Sequence, residues 1–261
     1  MKKLLTSILT LLISVATFGD VIVLEGHYQG KNLYVQNPFA GSGVGFCTFE
    51  VTINGEVTTD EINSSAFEID FTARGLKIGD PVIVKIKHKD DCRPKVLNPE
   101  VLKPKSTFDV VSMEVTKDGG LTWKTKGETG KLPYIIEQFR WNKWIKAGEV
   151  EGVGTPGENS YNFDVTLHHG QNQFRVKQVD YSGKPRYSQS VKVMSTVPEV
   201  TFSPIKVKDV IKFTSETLFE IYDQYGNIVK KGYGSEADVE NFKKGIYFLN
   251  YDNKMEKFVK K

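Results

Sequence analysis

The sequence contains few of the side chains that usually build metal sites. Of its 261 residues, only two are cysteine and four are histidine. His168 and His169 are adjacent, so on a strand their side chains point to opposite faces and cannot bind one metal ion. The residues around His27 and His88 offer no further ligands at metal-binding spacing. No metal or other cofactor is therefore expected.

Motifs for covalent or phosphate chemistry are also lacking. Neither a G-x-S-x-G nucleophile motif nor a phosphate-binding loop occurs in the chain. Carboxylates are plentiful, but nothing in the sequence pairs two of them across a cleft, as glycoside hydrolysis requires. We therefore expect a protein without enzymatic activity.

Charge of one sign is not in large excess. The chain has 35 lysine and arginine residues against 32 aspartate and glutamate residues, which gives a net charge of +3, and the basic residues are scattered. A nucleic-acid-binding surface needs a basic patch, so no nucleic-acid partner is expected. After residue 20 no apolar run is long enough to cross a membrane, so no transmembrane segment is expected in the mature chain.

The one long apolar run lies at the amino end. Lys2 and Lys3 precede an uncharged stretch from Leu4 to Ala16, and Ala16 or Gly19 would suit a cleavage site. The stretch is shorter than the roughly 20 residues that span a bilayer. Residues 1–19 are therefore predicted to be a secretory signal peptide. The mature protein is expected to be exported from the cytoplasm and to pass through the periplasm.

The two cysteines, Cys47 and Cys92, are predicted to form a disulfide. A signal peptide places them in an oxidising compartment. Closing the loop between them contributes about 4 kcal/mol in the chain-entropy description. A catalytic thiol would need a histidine partner, and the sequence indicates none.

Alternation of apolar and polar residues with a period of two dominates the chain after residue 20. Short β-branched or aromatic segments are bounded by turn residues such as Asn54-Gly55 and Asp80-Pro81. No segment sustains the i, i+3, i+4, i+7 pattern of a helix. The sequence predicts an all-β protein of three tandem antiparallel β-sandwiches of the immunoglobulin or fibronectin III kind.

Segments rich in proline mark the predicted domain boundaries. Pro94, Pro99 and Pro104 interrupt the strand pattern near residue 100, and Pro198 and Pro204 interrupt it near residue 200. The predicted domains after the signal peptide are therefore 20–105, 106–195 and 196–261.

The first two predicted domains carry weak resemblances. The phrases Tyr28–Pro38 and Val51–Gly55 are similar to the transthyretin-like or carboxypeptidase-regulatory-like sandwiches. Thr116–Trp123 resembles the Asp-box hairpin of sialidases, in which the aspartate supports a turn and has no catalytic role. Phe174–Lys184 resembles the late hairpin of fibronectin III-like modules in exported proteins of the Bacteroidetes. These resemblances imply binding or spacer modules.

Aromatic residues in the second predicted domain allow two interpretations. They could stack on sugars if they formed a flat exposed row, whereas aromatics at alternate strand positions usually form the core and rim of a sandwich. The residues concerned are Tyr134, Phe139, Trp141 and Trp144.

The third predicted domain carries the most specific resemblance. Its motifs are I-Y-D-Q-Y-G-N-I-V from Ile221, F-K-K-G-I-Y from Phe242 and a terminal K-F-V-K-K from Lys257. In this order they resemble the C-terminal signal domain of type IX secretion cargo. Family members usually open with Pro-Asn-Pro, whereas this chain has Phe202–Lys206 there, which puts removal of the domain in doubt.

That resemblance implies partners and a location. It implies docking on the type IX translocon and on an outer-membrane shuttle β-barrel (PorV-like), with the protein at the outer membrane or cell surface. The leading hypothesis is an accessory component of the secretion system. The alternative is a surface adhesin or glycan-binding module delivered by that route, in which Trp141 and Trp144 would act. The partner-binding residues implied by the resemblance are Gly245, Tyr247, Lys257, Val259 and Lys260.

Overall fold

The computed structural model describes residues 20–261, so the predicted signal peptide lies outside the described residues. Over those residues strands predominate, and the helical segments are two short 3-10 turns at Thr72–Arg74 and Pro99–Leu102. None of the helices in the described part could cross a membrane. The predicted all-β class is confirmed.

The chain forms two compact units. The first comprises the described residues up to Lys77 together with Pro81–Leu102, and the second comprises Ile78–Asp80 with Lys103–Lys261.

The first unit is a sandwich of two antiparallel sheets. One sheet has the order β1-β6-β3-β4 and the other has the order β5-β2-β7. On β6 the side chains of Val82, Val84 and Ile86 are buried and those between them face outward, which is the alternation expected of a sheet with one buried face. The strands are β1 Asp20–His27, β2 Leu33–Gln36, β3 Thr48–Ile53, β4 Glu56–Val57, β5 Ala66–Ile69, β6 Pro81–His88 and β7 Lys95–Val96.

The predicted disulfide is present in this unit. Cys47 precedes β3, Cys92 follows β6, and their Cα atoms lie 5.8 Å apart. The bond therefore ties together the loops that flank two paired strands of one sheet.

The second unit begins with another two-sheet sandwich, here called the middle sandwich. Its sheets have the orders β12-β9-β8 and β11-β10-β13-β14, with β15 also paired to β13. Trp123, Tyr134 and Phe174 form the centre of its core. The strands are β8 Asp109–Val115, β9 Gly120–Lys126, β10 Tyr134–Arg140, β11 Lys143–Val150, β12 Asn159–Asp164, β13 Gly170–Val179, β14 Pro185–Tyr187 and β15 Val191–Ser195.

The remaining strands form one six-stranded sheet, here called the C-terminal sheet. Its order is β16-β18-β20-β21-β17, and β19 pairs with the other side of β18. The register between β18 and β19 shifts between Lys212 and Thr217. Along its other edge, β18 pairs with β16 at one end and with β20 at the other. The strands are β16 Phe202–Ser203, β17 Lys206–Val207, β18 Val210–Tyr222, β19 Ile228–Asp238, β20 Gly245–Tyr251 and β21 Lys254–Lys260.

Local sequence explains the turn between β18 and β19. The Asp223 carboxylate accepts hydrogen bonds from the backbone N–H groups of Tyr225 and Asn227. Gly226 has a φ of 82°, which glycine adopts without steric cost. The sheet has its own apolar core, centred on Phe219, Leu249 and Phe258.

Candidate functional site

The hairpin of β20 and β21 carries all five residues that sequence reasoning assigned to partner binding. Its register pairs Gly245 with Lys260, Tyr247 with Phe258, and Ile246 with Val259. Because residues directly opposite each other in a ladder point to the same face, the register sorts the five into two groups. Gly245, Tyr247 and Lys260 belong to the inner row, and Lys257 and Val259 belong to the outer row.

The inner row supports the fold. The Tyr247 ring stacks on Phe258 with their centroids 5.5 Å apart, and its hydroxyl donates to the Lys243 carbonyl at 2.9 Å. Lys260 is only 6% exposed, and its ammonium donates to the Lys208 carbonyl. The Tyr247 and Lys260 side chains therefore contact the domain itself, and partner binding through them stays a prediction.

The outer row forms an exposed apolar face, here called the outer C-terminal face and defined by Ile246, Phe248, Met255, Lys257 and Val259. Ile246 is 52% exposed and Met255 is 63% exposed. The register places Phe248 opposite Lys257, so an ammonium group borders the apolar side chains. Exposed apolar side chains gathered on one face, with polar groups beside them, are typical of a protein–protein contact.

The outer C-terminal face continues across β18. Tyr222 lies opposite Phe248, and the Tyr222 hydroxyl donates to the Glu220 carboxylate at 2.5 Å. Lys143 of the middle sandwich reaches both groups, with its ammonium 2.6 Å from Glu220 and 2.9 Å from the Tyr222 hydroxyl. The middle sandwich therefore contributes a cation to the border of this face.

The end of β21 is not a free strand edge. Besides pairing with β20, it pairs in parallel with β17, which places Lys206 beside Val259. The backbone N–H of Val259 donates to the Ile205 carbonyl and that of Lys261 donates to the Val207 carbonyl, both at 2.9 Å. A partner that added a strand here would first have to displace β17.

Asp252, in the turn between β20 and β21, joins the hairpin to the middle sandwich. It is 4% exposed and has a φ of 48°, a left-handed conformation that aspartate tolerates better than most residues. Its carboxylate accepts from the backbone N–H groups of His169, at 3.2 Å, and Val200, at 3.4 Å. Its own N–H donates to the Thr217 hydroxyl at 3.1 Å.

Arg140 completes this arrangement, here called the Asp252 junction. One terminal nitrogen of the buried guanidinium donates to the Asp252 carbonyl at 3.2 Å, the other donates to the Thr166 carbonyl at 3.3 Å, and Nε donates to Gln138 at 2.7 Å. Burial lowers the pKa of Arg140 to about 10, and the Asp252 carboxylate opposes that shift. The guanidinium therefore stays charged at neutral pH, with a carboxylate beside it.

Comparison with known families identifies this part of the chain. Residues 203–261 match the secretion system C-terminal sorting domain. The matched segment contains the C-terminal sheet from Ser203 onward, including the whole β20–β21 hairpin. A sorting domain of this kind indicates a protein exported by type IX secretion to the cell surface or the extracellular space.

Solved structures resemble the chain only distantly, and no curated protein matches it. A tetra-tandem repeat from the extending region of a large adhesion protein is 13% identical, with a TM-score of 0.33, over 93% of this chain and 74% of that one. Dimeric latent PorU from Porphyromonas gingivalis is 11% identical, with a TM-score of 0.25, over 92% and 31%. The FN1–FN3 domains of chicken CNTN1 are 11% identical, with a TM-score of 0.24, over 93% and 95%.

The aromatic residues considered for sugar stacking do not form a flat open row. Tyr134 is fully buried in the core. The Trp144 ring is covered on one side by the Arg175 guanidinium, whose central carbon lies 4.1 Å from the ring centroids of both Trp144 and Tyr187. Trp141 lies outside the strands, in the turn between β10 and β11, with a φ of 51°.

The histidines and the Asp-box segment have structural surroundings. His168 is buried and His169 is exposed, and both lie in the segment before β13 and not on a strand. Within residues 20–261 no group of three or more potential ligands could hold a metal ion. In the Asp-box segment the Thr116 hydroxyl accepts from the Gly120 N–H at 2.9 Å, and Trp123 is buried in the core of the middle sandwich.

Sequence reasoning missed Arg140 and Asp252, which attach the sorting domain to the middle sandwich. The sequence Tyr251-Asp252-Asn253-Lys254 indicates a turn between two strands. It carries no signal for the distant partners, because Arg140 lies 112 residues away along the chain.

Proposed function

We propose that this protein is a non-enzymatic component of the type IX secretion system, similar to the small accessory component called PorA. It docks on the translocon and on a PorV-like shuttle barrel at the outer membrane. The observation that carries the proposal is the outer C-terminal face, an exposed apolar surface on a segment that matches a sorting domain.

The physical case for this face rests on its rigidity and composition. Its side chains project from two strands that pair along their whole length, so binding orders little additional backbone. Phe248 and Ile246 can supply apolar anchors, while Lys257 at the border can favour the correct orientation of an acidic partner.

The Asp252 junction supports retention of the sorting domain in the working protein. The segment that precedes the sorting domain contacts both the middle sandwich and the β20–β21 hairpin. The Val197 carbonyl accepts a hydrogen bond from the His169 ring at 2.8 Å, and the Glu199 carboxylate pairs with the Lys254 ammonium at 2.7 Å. A protease would have to free this segment before it could cleave there. Retention suits a component of the machinery better than cargo that loses its signal.

A structural role for the most catalytic-looking cluster supports the non-enzymatic part of the proposal. The buried Glu128 carboxylate accepts from the hydroxyls of Tyr134 and Tyr161 and from the Gly154 N–H, at 2.7 to 3.0 Å, and also from Thr125. Burial raises the pKa values of both tyrosines, so their hydroxyls stay protonated and keep donating. These donors and the Glu128 carboxylate therefore satisfy one another's hydrogen-bonding capacity inside the middle sandwich.

Recovery of the protein with the shuttle barrel tests the proposal. We would express full-length chains in a bacterium with a type IX system, purify the barrel, and compare Phe248→Glu with Val111→Glu. Val111 is a matched control, because it is an exposed apolar strand residue of the middle sandwich. Recovery of Phe248→Glu should fall at least about tenfold. Equal recovery of both variants would contradict docking through this face.

The adhesin or glycan-binding alternative makes a different prediction. If Trp141 or Trp144 stacks on sugars, changing either to alanine should abolish glycan-array binding while the sorting domain still delivers the protein. The coverage of Trp144 by Arg175 favours the docking proposal over this one.

A further inference from the structure

A cavity lies beside the Asp252 junction, away from the outer C-terminal face. Its volume is about 220 Å³. The middle sandwich contributes its walls from β10, β11 and the segment before β13, and the sorting domain contributes β18 and β19. At this size it suits one small ring-shaped molecule better than a drug-sized ligand, for which pockets begin at roughly 300 Å³.

The walls combine apolar surface with a few buried polar groups. Ile145, Leu167, Val200 and Leu218 are among the apolar lining residues. Apolar walls with a small number of placed polar groups are the usual composition of a small-molecule site, in which the polar groups fix the orientation of the ligand.

Two of the buried polar groups retain hydrogen-bonding capacity. His168, which is 2% exposed, donates from Nδ1 to the His169 carbonyl at 2.7 Å, which makes Nε2 the acceptor nitrogen of a neutral ring. That Nε2 is buried without a partner among the described residues. Each terminal nitrogen of Arg140 makes one hydrogen bond, which leaves one N–H on each without an acceptor there. A matching ligand therefore carries both a donor and an acceptor, as a hydroxyl group does.

The charges that line the cavity disfavour an anion. Asp164 and Glu216 are exposed lining residues, and the Asp252 carboxylate lies at the junction. The cationic lining residues are Arg140 and Lys146, and the Lys146 ammonium already pairs with Glu149 at 2.5 Å. A negatively charged ligand would meet carboxylates on its way in, whereas hydroxyl groups could donate to them.

Tyr233 adds an amphipathic wall. It lines the cavity and is 58% exposed, so its ring is open to a ligand. Burial and the Glu216 carboxylate raise the pKa of its hydroxyl, which therefore stays protonated. An aromatic ring with a hydroxyl beside carboxylates suits the face and the edge of a sugar ring.

We propose that the cavity between the middle sandwich and the sorting domain binds a single neutral sugar ring, with its hydroxyls on His168, Arg140 and Glu216. The sugar is either free or the terminal residue of a glycan, since both present the same hydroxyl chemistry. This site contains neither Trp141 nor Trp144 and none of the residues that define the outer C-terminal face.

Saturation-transfer NMR on the purified full chain tests this proposal. The probes are D-glucose, D-galactose, D-mannose and L-rhamnose at millimolar concentration, each free and as its methyl glycoside. Transfer to at least one sugar is expected. Equal binding of the methyl glycoside indicates the terminal residue of a glycan, whereas binding of the free form alone indicates a free sugar.

Two variants locate the site. Ala147 is exposed and lines the cavity, so Ala147→Trp should fill the space and weaken binding at least about tenfold. Tyr233→Phe removes one hydroxyl and should weaken binding about threefold to tenfold. The control is Thr122→Trp, which introduces the same side chain at an exposed position of β9 and should leave binding unchanged.

Two results would overturn the proposal. One is no transfer to any sugar of the panel, and the other is unchanged transfer in Ala147→Trp, which would place binding elsewhere. Neither result bears on the shuttle-barrel experiment, because Phe248 does not line this cavity.

Discussion

Each of the two compact units of this chain is stabilised internally, and the stabilising contacts differ between them. In the first unit a covalent bond between Cys47 and Cys92 ties two loops of one sandwich. In the second unit two separate apolar cores are joined through a buried arginine and a buried aspartate. The covalent tie acts mainly by restricting the unfolded chain, whereas the polar junction depends on hydrogen bonds and charge in the folded state. The two units should therefore respond to different perturbations.

Tryptophan fluorescence can separate the two responses. The chain has three tryptophans, Trp123, Trp141 and Trp144, and all of them belong to the second unit. A fluorescence transition therefore reports the second unit alone, while hydrogen exchange of β2, β3 and β6 reports the first.

The largest expected effect comes from removing the disulfide. Replacing Cys47 and Cys92 together by serine should lower the free energy of unfolding of the first unit by about 4 kcal/mol, because the bond closes a loop with a sequence separation of 45. Hydrogen exchange should accelerate in β3 and β6. The fluorescence transition in urea should stay where it is, and a matching shift of that transition would show that the units do not unfold separately.

The next largest effect concerns Asp252. Changing it to alanine leaves the backbone N–H groups of His169 and Val200 without acceptors and removes the carboxylate beside Arg140. The free energy of unfolding of the second unit should fall by about 3 kcal/mol, as measured by the fluorescence transition in urea. The segment 196–201 should also become sensitive to limited proteolysis.

A matched variant separates charge from shape at this position. Asp252→Asn keeps an acceptor oxygen and tolerates the left-handed backbone. It should therefore lower the free energy of unfolding of the second unit clearly less than Asp252→Ala does. Exchange in the first unit should be unchanged in both variants. If Asp252→Ala lost no more than about 0.5 kcal/mol, as an ordinary surface substitution does, the junction would not hold the domains together.

The contrast also explains what could be predicted from the sequence. The disulfide followed from two cysteines and an exported chain, and the Asp223–Asn227 turn followed from a local Gly-containing motif. The Asp252 junction could not be predicted, because its partners His169 and Arg140 are 83 and 112 residues away. Local patterns specify strands and turns, whereas contacts between domains depend on how finished sheets pack.

The same reasoning applies to the candidate site. The resemblance selected Gly245, Tyr247, Lys257, Val259 and Lys260 without regard to the face on which each lies. Their faces follow from the register of the hairpin, which the turn at Asp252 and Asn253 sets. Once the register is known, Ile246 and Phe248 replace Tyr247 and Lys260 as the exposed positions.

A smaller effect should appear in the pH dependence of the second unit. Burial lowers the pKa of His168 below its usual 6.5, and Arg140 lowers it further, against the opposing effects of the hydrogen bond to His169 and of Asp252. The unfolded chain therefore takes up a proton at this site first as pH falls below about 6.5, and the folded state loses relative stability. His168→Gln should reduce this loss, measured by urea transitions at several pH values. Parallel curves for both proteins would contradict the assignment.

The smallest effect is expected at the rim of the junction. The ammonium of Lys254 lies 2.7 Å from the Glu199 carboxylate, but the Glu199 side chain is 54% exposed, so solvent screens the pair. Lys254→Met keeps most of the apolar stem and removes the charge, and should change the free energy of unfolding by about 0.5 kcal/mol or less. Added salt should erase that difference, because it screens exposed charges but leaves the buried contacts of Asp252 intact. A loss as large as that of Asp252→Ala would mean that the junction is held at its rim.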